Sequence, residues 1–405
     1  MSFEQALSGL NAASQNLDVI GNNVANASTV GFKDGRAEFA DVYAASLASG
    51  GTQIGIGTSL SAVSPEFTQG NITTTGNPMD VAINGQGFFR MSTGGTITYS
   101  RDGEFSLNSN GFIVNSSGAL LTGFPATANG GISPSTPVPV QLSLANIAPQ
   151  PTTTASLSLN LDSRSTVPVS AFNVNDPTTY NSSTAMTVYD SQGNSHTLAL
   201  YFRTTAANTW SVYATADGTL LNAGAPIGTL NFNTAGQMAA DVTMNPSIAL
   251  TNGATTPLTF ALTFPAASTS QYGASFAVSA NSQNGYTTGQ LSGFSIGTDG
   301  IIQGRYSNGQ TRDQGQIALA NFVNPQGLSA LSGNQWVETS ASGQPLIGAP
   351  STGSNGSLQA GALESSNVDI TTELVNMITA QRVYQANAET IKTEDQVQQT
   401  LMNLR

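Results

Sequence analysis

Apolar residues recur with helical spacing only at the two ends of the chain. Near the N-terminus they form one heptad-spaced stripe that comprises Phe3, Leu7, Leu10, Leu17 and Val24. This spacing predicts a helix of about six turns with a single apolar seam.

A second helical pattern fills the C-terminal end. Its apolar positions follow one another at steps of mostly three and four and are Leu374, Met377, Ile378, Tyr384, Ala388, Ile391, Val397, Leu401 and Leu404. Either Asp369 or Thr371 is suited to cap this helix, and Glu373 adds negative charge near its start. The pattern predicts a long helix whose seam needs a partner.

The stretch "NASTVGFKDG" interrupts the pattern directly after the N-terminal helix. Its Asn, Ser and Gly residues predict a turn-rich connector that carries the chain away from the helix. Gly31 and Gly35 permit positive φ there at little cost.

Short apolar runs separated by turn sequences fill the middle of the chain. Between residues 97 and 121, runs such as Phe105 and Leu107 alternate with Asp-Gly, Asn-Gly and Ser-Gly pairs, which predicts an antiparallel meander. Alternating apolar positions between residues 186 and 212 predict successive hairpins.

Changes in composition divide the chain into nested segments. A Pro- and Thr-rich stretch from Asn146 indicates a boundary, and short strands with frequent turns return after Tyr286. The predicted fold class is α+β, mainly β, with nested β domains and two end helices paired as in a coiled coil. The predicted domains are a helical inner assembly domain (1–24 with 365–405), an extended connector (25–70), an outer β domain (71–145 with 285–364) and an inserted outermost β domain (146–284).

Composition narrows the possible partners. Charged residues make up 8% of the chain, the formal net charge is −12, and the only lysines are Lys33 and Lys392. Nucleic acid is therefore not an expected partner, because phosphate binding needs clustered Lys and Arg. The first residues lack the features of a cleaved signal peptide, and no run of about eighteen apolar residues occurs, so neither Sec secretion nor membrane insertion is predicted.

Candidate catalytic chemistry is sparse. Cysteine is absent, which excludes disulfides and thiolate nucleophiles, and His196 is the only histidine. A Ser-His-Asp triad would have to use His196, and no Gly-x-Ser-x-Gly elbow accompanies it. We interpret His196 as a structural strand residue and predict no enzyme activity, no metal site and no cofactor.

Four blocks resemble the bacterial flagellar rod and hook family of axial proteins. They are "LDVIGNNVANASTVGFK" (17–33), "NPMDVAINGQGFF" (77–89), "YSRDGEFSLNSNGFIVNSSGALLTG" (99–123) and "GALESSNVDITTELVNMITAQRVYQANAETI" (361–391). They occur in the family's order and cover both ends and part of the outer β domain. The middle of the chain carries no motif of this kind.

The resemblance implies a structural subunit that assembles into a helical tube. The chain's length and its large middle segment favour the hook, a curved flexible joint that transmits motor torque to the filament, over the distal rod, which is the alternative within the family. The implied partners are further copies of the chain, the distal rod protein, the hook cap protein, the hook-filament junction protein and the flagellar export apparatus. The implied location is the extracellular hook, reached without a cleaved signal peptide.

A secreted β-rich adhesin or hydrolase is the remaining alternative. It requires an apolar pocket with convergent polar groups, which would be expected within residues 146–284.

The terminal helices are the predicted assembly interface. Their apolar seams bury too little surface to offset the entropy of ordering both ends, so we expect them to fold when neighbouring subunits supply more. Among their polar residues, Gln381, Arg382 and Asn387 are candidates for setting the register between helices. The predicted interface residues are Phe3, Leu7, Leu10, Leu17, Ile20, Val24, Leu374, Ile378, Gln381, Arg382, Tyr384, Asn387, Ile391, Val397 and Leu401.

Overall fold

The computed structural model describes residues 2–42, 55, 57–127 and 130–403. Parts of the predicted helical domain (1, 404 and 405), of the predicted connector (43–54 and 56) and of the predicted outer β domain (128 and 129) thus lie outside the described residues. Contacts divide the chain into two compact units. Unit 1 contains Met1–Leu144, Gly293–Arg305 and Thr311–Arg405, and unit 2 contains Ala145–Ser292 and Tyr306–Gln310.

Both predicted helices are present. Helix α1 spans Ser2–Ala25 and helix α2 spans Ile370–Asn403. Within the described residues, neither helix combines the length and the apolar character needed to cross a bilayer.

The remaining regular structure is mainly β. Before and within the first part of unit 2, the strands are β1 (Gly35–Val42), β2 (Gly57–Pro65), β3 (Ile72–Thr74), β4 (Val81–Asn84), β5 (Phe88–Thr93), β6 (Thr96–Ser100), β7 (Phe105–Leu107), β8 (Ile113–Asn115), β9 (Leu120–Pro125), β10 (Val138–Pro139), β11 (Thr154–Asp162), β12 (Ser182–Tyr189), β13 (Ser195–Ala206), β14 (Thr209–Ala216), β15 (Thr219–Leu220) and β16 (Gly228–Asn231). The later strands are β17 (Val242–Met244), β18 (Ser247–Ile248), β19 (Leu258–Thr259), β20 (Ala261–Phe264), β21 (Ser270–Tyr272), β22 (Ala277–Gln283), β23 (Leu291–Ile296), β24 (Ile301–Tyr306), β25 (Thr311–Ile317), β26 (Leu319–Asn321), β27 (Ser329–Leu331), β28 (Gln335–Val337), β29 (Leu346–Gly348), β30 (Ser357–Ala360) and β31 (Ala362–Glu364). Short 3₁₀ turns occur at Pro177–Thr179, Asn222–Gly224 and Pro325–Gly327.

The segment predicted as an extended connector contains an antiparallel hairpin. Strands β1 and β2 pair from Gly35 opposite Pro65 to Val42 opposite Gly57. Gly31 has the expected positive φ of 68°, whereas Gly35 belongs to β1 and is not among the residues with positive φ. Both backbone polar groups of Gly35 bond the Asn23 side chain, at 3.0 Å and 2.8 Å, which holds this residue in the extended conformation.

The main sheet of unit 1 is antiparallel. Its central order is β23-β24-β25-β9-β5-β6-β28-β27. Strands β7, β8 and β9 form the predicted meander, but β6 pairs with β5 and β28 and does not join it. The neighbouring residues Phe88 and Phe89 of β5 point to opposite faces of the sheet and enter separate hydrophobic clusters. Both faces of this sheet are therefore buried at β5.

Unit 2 has two main sheets and one hydrophobic core. The first sheet has the order β12-β13-β14-β15, with β16 beside β14, and its strands form the predicted successive hairpins. The second has the order β17-β20-β11-β21, with β22 beside β11. Alternate residues of β13, namely Leu198, Leu200 and Phe202, are fully buried and share the core with Leu157 and Phe264 of the second sheet.

Candidate assembly interface

The two terminal helices run antiparallel and contact each other, which confirms the predicted pairing of the two end helices. Near the end of α1, the amide of Asn23 donates to Oε2 of Glu373 near the start of α2, at 3.3 Å. Near the start of α1, Gly9 lies so close to Asn387 that an added Cβ would come 2.8 Å from its Nδ2. Gly9 therefore allows the two helices to approach closely.

The buried face of α1 differs from the predicted heptad stripe. Its fully buried apolar residues are Ala6, Ala12, Ala13 and Ile20. Ala12, Ala13 and Ile20 lie where α2 and the β1–β2 hairpin shield α1 from solvent, and the larger side chains lie elsewhere on the helix.

The predicted seam of α1 is thus only partly covered. Phe3 and Leu7 are exposed, at 40% and 38% of their surface. Leu10, Leu17 and Val24 are half-buried, and Ile20 alone among the six predicted residues is fully buried. A role for these residues between subunits stays a prediction.

Asp369 caps α2. Its Oδ1 accepts a hydrogen bond from the backbone N–H of Thr371 at 2.9 Å, and its Oδ2 accepts one from the hydroxyl of Thr372 at 3.1 Å. The bond from the Thr371 N–H lowers the pKa of Asp369. Of the two capping residues that the sequence allowed, the structure thus uses Asp369.

Helix α2 presents large apolar side chains to solvent. Leu374 and Ile378 are 46% and 51% exposed. The other exposed large apolar residues of the helix are Ile370, Val375, Val383, Tyr384, Val397 and Met402. Ile391 is half-buried, and Leu401 lies in α2 with its side chain outside the described part of the structure.

The three polar candidates on α2 are in different environments. Gln381 and Arg382 are exposed. Asn387 is half-buried and lies against Gly9 of the same chain. The structure therefore gives Asn387 a contact within the subunit, while Gln381 and Arg382 face solvent.

A groove of about 710 Å³ lies between α1, α2 and the β1–β2 hairpin. Carboxylates from three segments line it: Asp34, Glu66 and Glu373. Burial, together with the negative charges of Glu373 and Glu66, raises the pKa of Asp34. Among the described residues, no group of three His, Cys, Asp or Glu side chains is arranged to hold a metal ion.

Asn23 was not among the residues predicted from the sequence, and Glu373 was predicted only as a charge near the start of a helix. Asn23 is 3% exposed and joins α1 both to α2 and to β1, through Glu373 and Gly35. A polar residue between the apolar positions Ile20 and Val24 was the available signal. Such a residue is buried only where it has hydrogen-bond partners.

Four family models match parts of the chain, in order from its N-terminal to its C-terminal end. "Flagella basal body rod protein" matches residues 3–33, and "Flagellar hook protein FlgE/F/G D1 domain" matches residues 82–162. "Flagellar basal body protein FlaE D2 domain" matches residues 160–286, and "Flagellar basal body rod FlgEFG protein C-terminal" matches residues 359–404. The matches include the middle of the chain, where the sequence showed no recognisable motif.

Relatives match over the whole chain. The flagellar hook protein FlgE of Salmonella typhimurium is 46% identical over 415 residues, with 100% of both chains covered. That of Escherichia coli K12 is 46% identical over 412 residues, again with full coverage, and that of Borreliella burgdorferi is 31% identical, covering 100% of this chain and 99% of the relative.

A solved structure shares the fold. The crystal structure of Helicobacter pylori flagellar hook protein FlgE2 matches with a TM-score of 0.52 at 15% identity. The match covers 72% of this chain and 100% of the other. Full-length identity to hook proteins, the four family models and this common fold agree: the chain belongs to the flagellar hook protein FlgE family.

Proposed function

We propose that this chain is the structural subunit of the bacterial flagellar hook. Copies assemble into a curved, flexible tube that transmits motor torque to the filament. The observation that carries the proposal is the full-length match, at 46% identity, to proteins named flagellar hook protein. The chain has no enzymatic role in this proposal, and its location is the extracellular part of the flagellum.

The terminal helices supply the assembly interface in this proposal. The exposed side chains of Leu374 and Ile378 are available to a neighbouring copy, as are Phe3 and Leu7. Full burial of a Leu or Ile side chain contributes roughly 2 kcal/mol, so a few such contacts per subunit add a substantial stabilising term. Gln381 and Arg382 set the register between neighbouring helices.

Assembly and helix folding are coupled. Most side chains of α2 beyond its first turns are exposed in the single subunit, so the helix buries little surface of its own. Ordering a residue costs about 1 to 2 kcal/mol of backbone entropy. The surface supplied by neighbouring copies offsets this cost, so the ends become fully ordered in the tube.

Flexibility of the tube comes from the outer surfaces. Charged residues are only 8% of the chain, so the β-rich parts of neighbouring copies form few ion pairs. Their contacts are weak and involve mainly uncharged polar groups. Such contacts can slide as the curved tube turns, while the helical inner layer stays intact. Other partners of the tube are the distal rod, hook cap and hook-filament junction proteins and the export apparatus.

Electron microscopy of the purified chain at high concentration tests the proposal. The parent chain should form short curved tubes, whereas a chain lacking residues 1–24 and 365–405 should form none. The double variant L374S/I378S should raise the protein concentration needed for assembly by about tenfold or more, because it removes two apolar contacts.

The matched control is Leu144→Ser. Leu144 is also a solvent-exposed leucine, at 61%, but it lies outside both helices. This variant should assemble like the parent chain. Tubes from the doubly truncated chain, or equal assembly by L374S/I378S and the parent, would rule out the proposed role of the helices.

The distal rod subunit is a second candidate, favoured by the match of both chain ends to basal body rod models. Replacement of residues 146–284 by a short linker distinguishes the two. A rod subunit should still form straight functional tubes, whereas a hook subunit should lose its curvature.

A further inference from the structure

Three charged side chains meet inside unit 1. Nζ of Lys33 lies 2.6 Å from Oε1 of Glu364, and a guanidinium nitrogen of Arg101 lies 3.0 Å from Oε2 of the same carboxylate. The side chains of Lys33 and Glu364 are fully buried, and that of Arg101 is 4% exposed. One carboxylate therefore holds two buried cations.

Backbone groups add further hydrogen bonds to the cluster. Lys33 also donates to the carbonyl of Thr68 at 2.7 Å, and Arg101 donates to the carbonyl of Gly85 at 2.9 Å. The N–H of Gly70 donates to Oε1 of Glu364 at 2.9 Å. Hydrogen bonds thus engage the charged groups from several segments, as buried charges require.

The main chain is equally close-packed at this place. The N–H of Gly31 donates to the backbone carbonyl of Glu364 at 2.9 Å. An added Cβ at Gly31 would come 2.5 Å from the backbone nitrogen of Asp102, next to Arg101. The segment that follows α1, the β sheet and strand β31 therefore meet with no room for another atom.

The three residues come from distant parts of the chain. Lys33 lies between α1 and β1, Arg101 follows β6, and Glu364 ends β31, six residues before α2 begins at Ile370. The cluster is thus situated where both terminal helices join the β part of unit 1. Among the described residues, Glu364 is the carboxylate that forms ion pairs with Lys33 and Arg101.

We propose that Lys33, Arg101 and Glu364 form a latch that closes only when β31 is in place. The segment that follows α1 is then fixed to the β part of unit 1 only after the C-terminal part of the chain has folded against it. Without Glu364, two cations would face each other in a buried site and repel. The two segments that contain Gly31 and Gly70 would then separate from the sheet.

The latch deepens the proposed function, on which its biological meaning rests. A subunit presents α1 in its assembly geometry only after its C-terminal part has folded against the sheet. An incompletely folded copy is thereby excluded from the tube.

Hydrogen exchange of the full-length monomer tests the latch. Gly31 is the best probe, because its acceptor is a backbone carbonyl that side-chain substitutions leave in place. In E364Q the Gly31 amide should exchange on the order of a hundredfold faster, since the two buried cations lose the carboxylate that balances them. In K33M, which leaves one cation with one carboxylate, the increase should be much smaller.

The double variant K33M/E364Q provides the decisive comparison. It retains one buried cation, whereas E364Q retains two. Hydrogen exchange of the Gly31 amide should therefore be slower in K33M/E364Q than in E364Q. A control, E389Q, removes the exposed partner of Lys392 and should leave exchange unchanged. The Val140 amide, which donates to the carbonyl of Leu121 in the core of unit 1, shows whether E364Q has unfolded the whole unit.

Two results would overturn the latch. One is parent-like exchange of Gly31 in E364Q, and the other is exchange in K33M/E364Q as fast as, or faster than, in E364Q. Because this measurement uses monomers, a failure of the parent chain to form tubes would refute the proposed function and leave the latch result unaffected.

Discussion

At the scale of single residues, His196 lies between two carboxylates of unit 2. Its Nδ1 is 2.6 Å from Oδ2 of Asp217, and its Nε2 is 3.3 Å from Oδ2 of Asp190. Asp190 is fully buried and also accepts hydrogen bonds from the side chains of Asn194 and Asn252. The predicted strand position is confirmed, since His196 lies in β13.

These contacts predict a pH dependence of stability. Burial alone would lower the pKa of His196, but hydrogen bonds with Asp217 and Asp190 outweigh it, so the pKa is raised. The folded state then binds the proton more tightly than the unfolded state, whose histidine has a pKa of about 6.5. The stabilisation is complete below that pH and is lost as the pH rises through the folded-state value.

The thermal midpoint of unit 2 should therefore decrease as the pH is raised from 6 to 9. A contribution of about 1 kcal/mol corresponds to about 2 to 4 °C in a unit of this size. Trp210 is buried in the core of unit 2 and Trp336 belongs to a cluster of unit 1, so in a W336F background the fluorescence of Trp210 reports unit 2 alone. His196→Gln should abolish the pH dependence; if it persists unchanged, another group is responsible.

At the scale of elements, the helix pair depends on the side chains at its contact. Gly9 lies against Asn387, whereas an added Cβ at Gly21 would meet no atom within 4 Å. The two glycines belong to the same helix and differ in what faces them. They form a matched pair that separates helix propensity from packing.

Ala at Gly21 should stabilise the assembled tube, because Ala is favoured over Gly in a helix by about 1 kcal/mol. Gly9→Ala has the same intrinsic advantage, but its added methyl group must displace the Asn387 side chain. The stabilisation should therefore be smaller than that from Gly21→Ala, or become a destabilisation. The two variants are compared by the temperature at which their tubes dissolve, measured by light scattering. Equal gains would show that the Gly9–Asn387 contact is absent from the tube.

At the scale of the whole molecule, the chain has separate cores in its two units. Leu200 is fully buried in the core of unit 2, and Trp336 belongs to a cluster of unit 1. The two tryptophans therefore report the two units separately.

Leu200→Ala should destabilise unit 2 by about 2 to 5 kcal/mol, because it removes buried methyl groups and leaves a cavity. In a W336F background, urea unfolding monitored by Trp210 should shift to lower concentration. In a W210F background, the transition monitored by Trp336 should keep its midpoint. Equal shifts of both transitions would mean that the units unfold as one cooperative body.

The sequence by itself determined the elements of this protein. Heptad spacing at the ends and period-two alternation in β13 follow directly from helix and strand geometry, so α1, α2 and the hairpins of unit 2 could be predicted. Four sequence blocks also carried the family. Such signals are local, because each depends on residues close together in the chain.

Tertiary structure alone decided which surfaces are buried. Periodicity marked Phe3 and Leu7 as a seam, but the face that α2 and the hairpin shield from solvent is the small one with Ala12 and Ala13. The cluster of Lys33 and Glu364 joins residues 331 positions apart, and no local pattern records such a pairing. A charged side chain is stable in a buried position only beside its partner, and only folding brings these two residues together.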